Sequence, residues 1–283
     1  MSRNKRLFLF AGYNANNKVD ASLVYYVSCL AKIGDLIVCM DSDIPKIELD
    51  KLIPYVLNAI AERHGEYDFG SYKRAYKWAK EHLDLTQYDF MYMVNDSVYG
   101  PLFDIKPYLK KMELFDTDAF GLVENPKKTH PHIQSWFIGM RKTIFMSDWF
   151  NKFINNVKHQ DDKGIITHLY EHGFSSNVIS HGGTWKCIYV VKGRGIYNNV
   201  KKLYHAKVPF IKKISFTRHD GGLGRQINYV LEHVPTKLRN AIIESASQTY
   251  GTDYVKKTLS RNMLSATYHN MKYGIQKLLA GKL

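Results

Sequence analysis

Only three cysteines, Cys29, Cys39 and Cys187, occur in the 283 residues of the sequence. They share no paired metal-ligand spacing and each lies in an apolar stretch, which predicts reduced, buried thiols and a reducing compartment such as the cytoplasm. A Gly-x-Gly-x-x-Gly turn after the first apolar run is missing, as is any GxxxxGK[ST] element, so the dinucleotide and P-loop modes of phosphate binding are disfavoured. No uncharged apolar run approaches the roughly 20 residues that cross a bilayer. The segment 7–12 is too brief for a signal-peptide core, and no secretion signal is expected. Acidic residues are scarce at one end. Residues 1–199 hold 25 Lys+Arg against 22 Asp+Glu, whereas residues 200–283 hold 15 against 4. The formal charge of +14 therefore sits mainly in the last third, and points to a polyanionic partner for that segment: anionic lipid headgroups or nucleic acid.

What is present is enough apolar material, 45% of the chain, for a substantial core. Residues 6–11 read as a buried strand, 20–32 as a helix capped by Asp20, and 35–40 (DLIVCM) as a strand buried on both faces. A weaker strand at 55–61, a helix over 71–82 and a strand over 88–94 follow. Strands at 119–123, 133–140, 176–179 and 186–191 and helices at 145–157 and 165–172 complete the pattern. Alternating strands and helices imply an α/β fold, a mostly parallel sheet flanked by helices, whose ligands bind at the carboxyl ends of the strands. Those ends are polar: Tyr13-Asn14-Ala15-Asn16, the segment 63–68, and Asn95-Asp96-Ser97. A carboxylate at the last of these is a hard oxygen ligand suited to Mg²⁺ or Mn²⁺, although Asn, Asp and Ser are equally good turn formers.

Five segments carry a wider resemblance: FAGYNANNKVDASLVYYVSCL near the start, RHGEYDFGSYK at 63–73, YDFMYMVNDSVYGPL at 88–102, HIQSWFIGM at 132–140 and HLYEHGFSSNVISHGG at 168–183. Over about residues 6–215 the chain resembles the rhamnan synthesis protein F family of bacterial glycosyltransferases. The resemblance implies a GT-A-like (Rossmann-like) domain over 1–215 and a sugar-nucleotide donor. It further implies a role in building surface rhamnan, O-antigen or capsule at the inner face of the cell membrane, on a lipid-linked glycan acceptor and alongside other polysaccharide-assembly proteins.

Sugar transfer needs a pocket for the nucleotide, positive charge on the departing diphosphate and, for inversion, a carboxylate that deprotonates the acceptor hydroxyl. Under the resemblance Asp96 contacts the diphosphate or a divalent cation, with Asn95 and Ser97 shaping the turn and His181 a tentative further metal ligand. Asp68 bonds the donor, Gly65 and Gly70 let backbone approach it, and Arg63 and Lys73 offset phosphate charge. Tyr13 and Asn16 line the base pocket. Glu171 is the base, Glu124 its reserve, and His132, Gln134 and Ser135 contact acceptor or sugar. The family's Asp-x-Asp pair is reduced here to one carboxylate.

Beyond residue 215, and clearest over 252–279, apolar positions from Val255 to Leu279 recur at near-helical intervals with Lys256, Lys257, Arg261, Lys272 and Lys277 between them. This basic amphipathic extension, 216–283, is expected either on an anionic membrane surface or packed on its own domain. A nucleic-acid-binding module lacks support, since no helix-turn-helix, zinc-finger or RRM signature is present. A noncatalytic membrane-associated scaffold that keeps a degenerate transferase fold is the other alternative.

Overall fold

A computed structural model describes residues 4–127, 129–218, 222–260, 268, 271–273, 275 and 276. They divide into two compact units, one comprising residues up to 19, 26–96 and 104–193, the other 20–25, 97–103 and 194 onward.

The first unit is built on an eight-stranded sheet. Its strands are β1 (Arg6–Gly12), β2 (Asp35–Met40), β3 (Asn58–Ala61) and β4 (Phe90–Asn95) and, after β5 (Val98–Tyr99) of the second unit, β6 (Ala119–Asn125), β7 (His132–Ile133), β8 (Phe137–Arg141) and β9 (Trp185–Val190). The order is β3-β2-β1-β4-β8-β6-β7, with β9 also on β6. From β3 to β4 all pairings are parallel, Leu9 lying opposite both Ile37 and Met93. β8 runs antiparallel to β4 and β6, and β9 parallel to β6. The sheet is thus mostly parallel and flanked by helices, as the alternating pattern predicts.

Every residue of β1 is buried because both faces are covered. On one face Leu7, Leu9, Ile37, Met91 and Met93 share a core with Phe69, Tyr72, Ala75, Tyr76 and Ala79 of the Tyr67–His82 helix. On the other, Phe8 stacks on Tyr92 at 5.0 Å and Phe10 meets Tyr26 edge-on at 5.2 Å. Each such side chain contributes about 1.5–3 kcal/mol by leaving water. Beneath Tyr92 lies a buried ion pair: Arg6 Nε and Nη2 donate to Glu113 at 2.5 and 2.7 Å, and the Tyr92 hydroxyl donates to the same carboxylate at 2.7 Å.

Four expected elements need correction. The helix placed at 71–82 starts at Tyr67, so Asp68 sits in its first turn rather than in the preceding loop. The strand placed at 133–140 is broken into β7 and β8, because residues 134–136 leave the ladder. The helix placed at 145–157 is the shorter Asp148–Asn155, started by Ser147, whose hydroxyl accepts from the Phe150 amide at 3.2 Å. The strand placed at 176–179 is instead part of the helix Gly173–Ser180, which continues directly from the preceding helical turns. Local β-branched content yields there to helix propagation.

In the second unit β5 pairs antiparallel with β10 (Ile211–Lys212). The helices Leu223–Glu232 and Thr236–Tyr250 close a core of Tyr99, Phe216, Ile227, Leu231, Leu238 and Ile242. Asp20 caps its helix as expected, accepting from the Leu23 amide at 2.8 Å, and also takes the Ser245 hydroxyl at 2.7 Å. Of the basic helix expected over 252–279, Thr252–Thr258 is helical with Val255 buried in this unit's own core. Met271 and Ile275 are exposed, and most of the remainder lies outside the described residues.

Candidate functional site

The carboxyl ends of β1, β2 and β4 are tied level with one another. The Asp41 amide donates to the Gly12 carbonyl at 2.8 Å and the Asp96 amide to the Ala11 carbonyl at 3.1 Å. At Gly12 a side chain would strike the Met40 sulfur, 2.4 Å from an added Cβ, and the Asp96 carboxyl carbon lies 3.9 Å from the same point. Asn95, at the very end of β4 and buried, turns its amide Nδ2 to Asp68 Oδ2 at 2.7 Å. Two sequence candidates 27 residues apart therefore meet. One helical turn beyond Asp68, the Tyr72 hydroxyl donates to the Ser135 carbonyl at 3.3 Å. Burial pushes the Tyr72 phenol well above its ordinary pKa, and the negative charges of Asp68 and Glu171 push in the same direction.

The loop from β3 into the Tyr67–His82 helix is shaped by Asp41, whose Oδ1 accepts from the amides of His64 at 2.8 Å and Gly65 at 3.0 Å. Gly65 and Tyr67 both adopt positive φ, +66° and +56°. For Tyr67 that conformation costs of order 1 kcal/mol or more and holds an exposed ring beside Asp68. The His64 Nδ1 accepts from the Glu66 amide at 3.0 Å, which leaves Nε2 as the donor to the Ser71 hydroxyl at 3.0 Å. Burial lowers the His64 pKa more than nearby Asp41 raises it, in keeping with a neutral ring. No side chain caps the first turn of this 16-residue helix. The Asp68 carboxylate lies in that first turn and so meets the positive end of the helix dipole.

Glu171 lies in a stretch with π-helical hydrogen bonding, Thr167–His172. Such turns insert an extra residue into a helix and recur at functional sites. Its side chain is half-buried, and its carboxylate makes no hydrogen bond or ion pair among the described residues. A partly desolvated carboxylate with no internal partner is costly unless a ligand or solvent group completes it. The next residue, His172, belongs to a group of four imidazoles: its ring lies 4.3 Å from His132, 5.3 Å from His130 and 5.9 Å from His168, between ring centroids. Its Nδ1 is buried without a partner among the described residues. Burial, reinforced by His132, Lys127, His130 and His168, lowers its pKa to about 4.

The remaining candidates separate. Arg63 spans three loops, bonding Asp43 at 2.7 Å and Asn17 at 2.9 Å beside the exposed Tyr13; Asn16 is exposed in the same loop as Tyr13. Asp43, and to a lesser degree Tyr13, raise the Arg63 pKa. Lys73 is spent internally, on Glu66 at 2.5 Å and the Val157 carbonyl at 2.7 Å. Burial acts to raise the Glu66 pKa, but Lys73 and Arg74 outweigh it and hold the carboxylate below its ordinary value. At Gly70 the constraint is steric, since a Cβ would lie 2.3 Å from that of Glu66. His132 bonds the His130 carbonyl at 2.8 Å, Gln134 accepts from the Trp136 indole at 2.7 Å, and Glu124 lies on β6 opposite Ile133. Ser97 belongs to the second unit, where the Lys212 ammonium donates to its hydroxyl at 2.8 Å. His181 stacks on Trp149 at 5.0 Å, and no described contact links it to Asp96. Asp41, His64, Tyr67 and Tyr72 were not singled out from sequence; the first two carry a usable signal, an acid ending β2 and a His before Gly.

A family model described as rhamnan synthesis protein F matches residues 36–282. Among solved structures, a nucleotide-diphospho-sugar transferase from Desulfovibrio desulfuricans G20 aligns at 16% identity over 85% of this chain and 99% of its own, with a TM-score of 0.42. The mannosyltransferase Ktr4p of S. cerevisiae aligns at 8% identity over 52% and 59%, TM-score 0.33. Core-mannan synthase A of Aspergillus fumigatus, in an Mn/GDP form, aligns at 10% over 54% and 63%, TM-score 0.29. No curated protein matches the sequence.

Proposed function

The chain belongs to the rhamnan synthesis protein F family, and from that premise we propose that it is a glycosyltransferase, moving a sugar from a nucleotide diphosphate to a hydroxyl of a growing surface polysaccharide. The observation that carries the reading is the half-buried carboxylate of Glu171, without a hydrogen bond or ion pair among the described residues, whose charge bears on the same phenol, Tyr72, as that of Asp68. The Asn95–Asp68 pair ties the donor end of the site to the strand termini.

In the reaction the acceptor O–H gives its proton to Glu171, its oxygen bonds the anomeric carbon of the donor, and the bond from that carbon to the diphosphate breaks, the diphosphate leaving with the electron pair. A base of this kind contributes about 10²–10⁴-fold. Asp68, held by Asn95, bonds the donor. The uncapped first turn of the Tyr67–His82 helix supplies amide dipoles toward the diphosphate. Among the described residues no group of three or more His, Cys, Asp or Glu has metal-holding geometry, so a cage made by the protein alone does not fit. One carboxylate does fit the mode in which Mg²⁺ or Mn²⁺ keeps its waters and is shared with substrate phosphates, and Asp96 is the residue that would hold such an ion. When bound, the ion would neutralise charge on the leaving diphosphate.

The acceptor is proposed to be lipid-linked and the protein peripheral to an anionic membrane surface, supported by the basic last third. Among the described residues no helix is long and apolar enough to cross a membrane. The test is a panel of UDP-, GDP- and dTDP-sugars read by thermal shift and by release of nucleoside diphosphate. One donor should stabilise the protein and be turned over, and Asp96→Ala should abolish both. A panel without any shift points to a noncatalytic scaffold.

A further inference from the structure

The first unit also carries a cleft of about 540 Å³ whose lining includes Trp149, Lys152, Asn156, Lys158, Tyr170 and His181. Its volume is that of a small-ligand site rather than a water pocket. Three features make its chemistry specific. The indole of Trp149 and the imidazole of His181 stack face to face at 5.0 Å and 16°, a pair of rings with one outer face left for a ligand. Lys152, Asn156, Lys158 and Gln160 bring ammonium and amide groups that make no side-chain hydrogen bond or ion pair among the described residues. None of the described lining residues is acidic.

Flat aromatic rings offer an apolar face to the C–H side of a sugar ring, while amides and ammoniums at the edge exchange hydrogen bonds with its hydroxyls. Two unopposed ammonium groups add a preference for a negatively charged substituent. A purely apolar ligand would leave these ammonium and amide groups unused, and a metal ion finds no carboxylate among the described lining residues.

The cleft is coupled to the candidate base through one short element. Tyr170 lines it and stacks on Phe69 at 5.6 Å, while the next residue in the π-helical stretch is Glu171. The Tyr170 hydroxyl also accepts from the Lys158 amide at 2.9 Å, fixing one rim to that stretch.

We propose that this cleft is a second carbohydrate site, holding a non-reacting stretch of saccharide with a sugar ring on the outer face of the Trp149–His181 stack and an anionic substituent, such as a phosphate, at Lys152 and Lys158. Its purpose as an acceptor-chain site rests on the transferase reading; saccharide binding itself does not.

The experiment titrates the full chain with a synthetic trirhamnoside and with the same trisaccharide bearing one phosphate, read by saturation-transfer NMR and by quenching of tryptophan fluorescence. Nucleotide-sugar thermal shifts are measured in parallel. Trp149→Leu, which keeps an apolar side chain at the position, is expected to weaken both saccharides by about tenfold or more. The double variant Lys152→Gln/Lys158→Gln changes only exposed side chains, and is expected to weaken the phosphorylated probe alone by about tenfold. Neither should alter the nucleotide-sugar shift. Absence of binding by both saccharides, or unchanged binding by both variants, overturns the proposal. Saccharide binding that persists without any nucleotide-sugar shift retains the cleft and refutes the transferase reading instead.

Discussion

The side-chain amide of Asn95 donates to the carboxylate of Asp68 at 2.7 Å, joining the end of β4 to the first turn of the Tyr67–His82 helix. Asn95 is a neutral donor in a buried position, so the pair carries only one charge. Asn95→Asp would place two carboxylates face to face. The new group is expected to have its folded pKa raised by burial and by Asp68, so its cost is small below the unfolded carboxylate pKa near 4 and grows as pH rises. Urea denaturation should show a loss of about 2–4 kcal/mol at pH 7 that shrinks toward pH 4. An equal loss at both pH values would assign the damage to packing.

Glu171→Gln removes a charge that no described residue pairs. Stability should stay within about 0.5 kcal/mol of the parent, whereas turnover should fall by about 10²–10⁴-fold with nucleotide-sugar affinity retained. Steady-state kinetics and thermal shift on the same preparation check both. A large drop in melting temperature with little change in rate would make the residue structural.

His172 has its pKa lowered to about 4 by burial and by its three histidine neighbours with Lys127. An unfolded chain binds that proton near pH 6.5, so the unfolded state gains protons first as pH falls. Stability is therefore unaffected above about pH 6.5 and declines between there and pH 4, by up to roughly 3 kcal/mol. His172→Phe keeps a ring of similar shape and should flatten that slope. Denaturation curves at pH 7 and 4.5 for both proteins decide it, since a slope unchanged by the substitution would remove His172 as its source.

Arg6→Met strands the buried Glu113 carboxylate with only the Tyr92 hydroxyl and the more distant Asn4 amide. A loss of about 3–5 kcal/mol is expected at pH 7. Adding Glu113→Gln to Arg6→Met should recover part of it, because the unpaired charge and not the missing guanidinium dominates. Failure of the second change to recover any stability would show that the Arg6 stem is the contributor.

Much of this architecture is legible in the residues. DLIVCM and the 88–94 run give the central parallel strands because a strand buried on both faces must be continuously apolar. Asp20 announces its helix by being an acceptor before an apolar periodicity. The Asp68–Asn95 meeting depends on the helix starting at Tyr67, which brings Asp68, in its first turn, to the end of β4. Less could be read at 63–70, where the helix begins earlier than its periodicity suggests because Gly65 and Tyr67 take up positive φ. The Ser-Ser-Asn-Val-Ile stretch resembles a strand by composition and is helical by continuity with the turns before it. The histidine group was visible only as two separate spacings, His130 with His132 and His168 with His172. Their convergence depends on how β7 lies against the π-helical turn, which no local pattern encodes.

The π-helical stretch Thr167–His172 means that the side-chain directions within it are set by counting as well as by chemistry. Deleting a single residue within it would let ordinary α spacing run through with the flanking turns kept in phase, and only the residues inside the stretch would change direction. The five residues left would then aim Tyr170 and Glu171 at different neighbours. The length of a helical turn is thus a variable of its own in this fold, one that substitution scanning leaves untouched and that only insertions and deletions can probe.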